Sequence, residues 1–125
     1  MKKDLQRLGQ LLDARHPLIW IPGTQEHEAQ QLVRELAQNR SLPIRLWTAT
    51  EGLREGLAET GSSIPDTEHP AGALFYMRRH SQAGLSVMMD LTDHLDDART
   101  LRLVRELIET QRSIRGHLIL IDHRE

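Results

Sequence analysis

Four short, mostly apolar runs, at residues 18–21, 44–48, 85–89 and 118–121, alternate with stretches of helical periodicity. Strands this short, separated by helices, argue for a parallel sheet covered on both faces. Right-handed crossovers then lead to a three-layer α/β sandwich. The 125 residues suffice for one domain that buries a core without disulfides or metal.

The intervening segments read as helices with defined ends. Leu5, Leu8, Leu11 and Leu12 recur at helical spacing, so residues 3–14 are expected to be a short amphipathic helix, stopped by Pro17. Thr24 is placed to cap a second helix with Ala29, Leu32, Val33, Leu36 and Ala37 on one stripe. Residues 50–58 read as a short helix and 61–70 as a polar loop. Pro70 suits the first turn of a helix reaching about residue 80, with Ala71, Leu74 and Phe75 turned inward. Asp96 or Asp97 can cap a long last helix carrying Leu101, Val104, Leu107 and Ile108. Trp20 and Trp47, each on a strand, are expected in the core.

The passage from the first strand to its helix, Ile21-Pro22-Gly23-Thr24, sits where a nucleotide-binding protein places its phosphate loop. That loop ends Gly-Lys-Ser/Thr, the Lys neutralising phosphate and the hydroxyl holding Mg²⁺. Laid on Gly23, those three places fall on Glu28, Ala29 and Gln30. Glu26 and Glu28 already satisfy the positive end of the helix and would repel a triphosphate. A nucleotide site in outline, stripped of its cation and hydroxyl, is the reading; no cofactor is expected.

Asp90 ends the third apolar run, where nucleotide hydrolases hold Mg²⁺, but Leu91 follows it in place of a water-orienting acid. Neighbouring parallel strands would bring Asp90 toward Asp122, and Asp93 lies close in sequence. A different class of function follows from that, a Mg²⁺-dependent phosphoryl-transfer or phosphoacceptor domain using Asp90 with Asp93 or Asp122. A receiver-type acceptor also wants an acidic pair after the first strand and a Lys near the last. Pro22-Gly23 and Asp122-His123 supply neither. Capping explains most of these acids, and Asp90 is expected to be structural.

Sixteen basic and 18 acidic residues give a net charge of −2, which provides no field for nucleic acid or anionic membrane. Arg102–Glu106 and Arg105–Glu109 are spaced as i,i+4 pairs of a solvated helix face. With so few aromatics, a stacking platform for single strands is absent. No apolar run is long enough to span a bilayer. The absence of cysteine suits a reducing compartment, and a cytoplasmic setting is expected.

A series of short motifs carries a family likeness. A Leu-rich helix precedes Pro17-Leu18-Ile19-Trp20-Ile21, followed by Thr24-Gln25-Glu26-His27-Glu28. Trp47-Thr48-Ala49-Thr50-Glu51-Gly52-Leu53 is the most specific segment. Ala73-Leu74, Met88-Met89-Asp90 and the Arg/Leu-rich stretch 99–108 complete it. Together they resemble the N-terminal region of bacterial and plastid AAA+ ATPases related to a conserved chloroplast open reading frame.

The turn at Pro22-Gly23 departs from that family's aliphatic-Thr passage. The resemblance implies a degenerate, P-loop-like N-terminal domain that docks or assembles and does not hydrolyse. Its partner would be the AAA+ core of its own parent chain, with ATP and Mg²⁺ bound only there; a homo-oligomer is a further possibility. It also implies a four-stranded order of first, fourth, third, second (1-4-3-2). In the family the first strand lies between the fourth and a fifth that comes later in the chain. Residues 18–21 are then expected to form an exposed edge that pairs with another chain or is covered by a terminus.

Overall fold

The computed structural model describes residues 2–23, 25–56 and 62–123. The elements run α1 (Lys2–Asp13), β1 (Leu18–Ile21), α2 (Glu26–Arg40), β2 (Ile44–Thr48), β3 (Gly52–Glu55), α3 (Pro70–Arg79), β4 (Leu85–Met89), α4 (Ala98–Ile114) and β5 (His117–Ile121). A single 3-10 turn over Leu91–His94 links β4 to α4. The expected Thr24 cap, and the first residue of the polar loop, lie outside the described residues.

Among the described residues the sheet has five strands in the order β1-β5-β4-β2-β3, which corrects the expected four-stranded parallel sheet. The four expected strands keep their succession and pair in parallel. The added strand is β3, antiparallel to β2, where a helix over residues 50–58 was expected, of which 57 and 58 lie outside the described residues. Its cause is Gly52, which takes φ +74° and turns the chain back after Thr48. Leu53 then lies opposite Trp47, and both are fully buried.

Each face of the sheet carries its own core. Ile19, Val87, Met89, Ile119 and Ile121 pack against α1 and α2. Trp47, Leu53, Met88, Leu118 and Leu120 pack against α3 and α4. The three layers follow from this two-sided burial. β4 and β5 are buried along their whole length, as runs that are apolar apart from Ser86 and His117 require.

The ends of the helices have local causes. His69 Nδ1 accepts a hydrogen bond from Ala71 N at the start of α3, just before Pro70. Asp97 caps α4, accepting from Thr100 N at 3.2 Å and from Thr100 Oγ1 at 2.6 Å. These bonds hold its carboxyl below the usual carboxylate range. Arg45, buried on β2, closes the other end of α3. Its guanidinium donates to Met77 O at 3.1 Å, His80 O at 2.8 Å and Ser86 Oγ at 2.9 Å.

Three side-chain expectations are overturned. Phe75 is 46% exposed, and the inward face of α3 is formed instead by Ala71, Ala73, Leu74 and Met77. Trp20 is 51% exposed, because β1 is an edge strand that neither α3 nor α4 covers. Glu109 pairs with Arg112 at 2.7 Å rather than with Arg105, whereas Arg102–Glu106 forms as expected.

Candidate functional site

In open α/β sheets, ligands bind beyond the carboxyl ends of the strands, where neighbouring connections leave toward opposite faces. Here β1 leads into α2 on one face and β4 leads toward α4 on the other, with β5 between them. The residues gathered there are Pro22 and Gly23, Asp90 and Asp93, and Asp122 and His123.

The β1–α2 passage is too short to wrap a phosphate. Gly23 has the left-handed φ of +125°, with open space where a side chain would project. Yet α2 begins at Glu26, so the three residues at the Gly-Lys-Ser/Thr places are already helical. Glu28 is exposed, Ala29 is buried in the α1–α2 core, and Gln30 Nε2 lies 3.7 Å from Met89 Sδ. Beside this turn lies a groove of about 520 Å³, floored by Ile19 and Ile21 and rimmed by Asp4, Arg7 and Glu28. Its walls are mostly aliphatic, with more acid than base, which does not suit an anion.

The acids divide differently from the sequence expectation. Asp90 stands in the left-handed region (φ 56°) and makes no side-chain cap to the 3-10 turn that follows. Its Oδ1 reaches across the sheet end, accepting from His123 N at 3.1 Å and lying 2.7 Å from His123 Nδ1. Asp93 joins them, so that ligand atoms of Asp90, Asp93 and His123 lie within 4.8 Å of one another.

Asp122 stays outside that group. Its Oδ2 accepts a 2.5 Å bond from Trp20 Nε1, and its buried Oδ1 has no hydrogen-bond partner among the described residues. The expected Asp90–Asp122 pairing is therefore replaced by Asp90–His123 and Asp122–Trp20. Sequence offered no signal for either, since the partners are separated by 33 and 102 residues.

The segment that carried the family likeness proves to be the β2–β3 hairpin. Trp47 Nε1 donates to Thr67 O at 2.7 Å, while Thr67 Oγ1 accepts from Leu53 N at 2.8 Å and donates to Ile64 O at 2.6 Å. A side chain at position 52 would meet Thr67 Oγ1 at 2.9 Å. The Trp-Thr…Gly-Leu spacing is thus a device that pins the loop before α3 to the sheet.

The family model for the SpoVK-like AAA ATPase N-terminal domain matches residues 4–125. The chain belongs to this family. No curated protein and no solved structure gives a significant match. The match spans every element of the sheet, so the whole fold belongs to this AAA ATPase N-terminal domain. Among the described residues of the domain, no helix is long and apolar enough to cross a membrane.

Proposed function

We propose that this domain is a non-hydrolysing docking or assembly module at the N-terminus of a cytoplasmic AAA+ ATPase. Its partner is then the core of its own parent chain, where ATP and Mg²⁺ are bound and turned over. The bacterial and plastid group named for its resemblance is the branch of the family to which we assign it. One observation carries this reading: α2 starts three residues after Gly23, with Glu26 and Glu28 in its first turn and Ala29 in the core. A triphosphate would meet carboxylates there, with Ala29 and Gln30 at the places of the phosphate loop's Lys and Ser/Thr. Family membership supports the same assignment.

The test is to divide the parent protein. Removing residues 1–125 is expected to leave ATP binding with the remainder and to impair its assembly or partner recruitment. Loss of ATP binding on that deletion, with the remainder folded, would contradict the proposal.

A second reading, Mg²⁺-dependent phosphoryl chemistry, draws on the close approach of Asp90, Asp93 and His123. The bond from Asp90 to His123 favours a structural role instead, joining the ends of β4 and β5. Asn tolerates the left-handed backbone, so Asp90→Asn removes the charge without disturbing the turn. We expect it to change stability by about 1 kcal/mol or less. Mg²⁺ titration followed by tryptophan fluorescence or NMR should show no saturable signal in either protein. Specific binding abolished by the substitution would put the second reading first.

A further inference from the structure

The four helices do not share charge evenly. α1 and α2, on one face of the sheet, carry five basic and five acidic residues. α3 and α4, on the other, carry six arginines against two glutamates, in a chain whose net charge is −2. The excess surrounds an exposed ring. Among the described residues three large apolar side chains are exposed: Leu18 and Trp20 on β1, and Phe75 on α3 at 46%. α3 packs against α4 and β3, and β3 is the opposite edge of the sheet from β1.

The arginines beside Phe75 are not used up by the helix end. Basic residues in a last turn ordinarily answer its free carbonyls. Here Arg45 already donates to Met77 O and His80 O, and His80 N closes on Tyr76 O. Arg79 instead lies over the Phe75 ring, its guanidinium carbon 5.7 Å from the centroid. Arg78 crosses to α4, where Glu106 takes Arg78 on Oε1 at 3.1 Å and Arg102 on Oε2 at 3.2 Å. Glu109 is paired with Arg112. One carboxylate thus sets two guanidiniums side by side, and each keeps N–H donors to spare.

We propose that the α3–α4 face is the docking surface of this domain, and that it takes an acidic protein segment. Carboxylates of that segment meet Arg78, Arg79 and Arg102, while one of its apolar side chains covers Phe75. An aromatic ring among arginines is the composition in which protein interfaces concentrate their binding energy. Ordering long side chains costs affinity, and Glu106 and the Phe75 ring already hold three of them in place. Nucleic acid suits the face less well, because Glu106 stands in the patch and a single ring gives no stacking platform. This surface deepens the docking role proposed above and rests on it.

The test is an NMR titration of the isotope-labelled 125-residue chain with three probes. They are a synthetic peptide of glutamates spaced by leucines, polyglutamate of equal charge, and oligothymidylate of equal charge. The leucine-containing peptide is expected to bind saturably and to move the signals of Phe75, Arg78, Arg79 and Arg102. It should bind about tenfold more tightly than polyglutamate, through the cover it gives Phe75. Phe75→Ser, at an exposed position, should erase that preference. Arg79→Glu should raise the Kd of both acidic probes by about tenfold. Tighter binding of the oligothymidylate would overturn the proposal. So would the lack of a saturable shift at millimolar peptide, or binding indifferent to both substitutions. None of these readouts involves ATP or the deletion of residues 1–125, so failure here is distinct from failure of the docking role itself.

Discussion

Arg45 shows how one side chain decides whether a strand and a helix can share a layer. It sits in β2 on the inner face, 1% exposed, where an arginine is costly unless every donor is used. Three acceptors meet it: Met77 O in the last turn of α3, His80 O at its C-cap, and the hydroxyl of Ser86 on β4. The last carbonyls of a helix lack intrahelical donors and carry its negative end, so a cation there suits both charge and hydrogen bonding. Burial pushes the guanidinium below the usual arginine value, but it starts so high that it stays charged. Arg45→Ala should therefore cost about 2–4 kcal/mol, through a cavity and stranded acceptors. Arg45→Lys should recover little, because an ammonium cannot reproduce the planar fork. Urea denaturation measures both, and a loss below about 1 kcal/mol for the alanine variant would refute this role. Nothing in the sequence marked Arg45, since a basic residue in a short strand reads as solvent-facing.

Most elements were legible because their apolar spacing differs in kind. The buried strands β4 and β5 are apolar apart from Ser86 and His117, and α2 and α4 repeat at helical period, so burial and pattern coincide. β3 was not legible. Its sequence Gly-Leu-Arg-Glu buries Gly52 and Leu53 but leaves Arg54 half-buried and Glu55 exposed, too short a pattern to separate strand from helix. The determinant is a backbone angle: Gly52 at φ +74° makes the hairpin, and the bonds at Thr67 fix it. Gly52→Ala meets both the positive φ and the 2.9 Å approach of Thr67 Oγ1, so it should destabilise by about 1–3 kcal/mol. Thermal unfolding would register this, and an unchanged midpoint would show that the hairpin tolerates an ordinary residue. Trp20 failed for another reason. An edge strand and a central strand can share one composition, and only the topology tells which side chains remain uncovered. At the site, the end of β4 was anticipated, but not that Asp90 would turn to His123 and Asp122 to Trp20.

As a whole, the molecule is a three-layered α/β domain with a mostly parallel sheet, and it belongs to the AAA ATPase N-terminal domain family. Glycine turn, helix start and strand-end aspartate are all present at the right edge of the sheet. Each is committed elsewhere: Glu26 and Glu28 occupy the first turn of α2, Ala29 is in the core, and Asp90 holds His123. The central proposal is that this domain serves through its surfaces and binds no nucleotide. Calorimetric titration of the 125-residue chain with Mg-ATP to millimolar concentration tests it most directly. The account predicts no saturable heat; a dissociation constant in the micromolar range would contradict it.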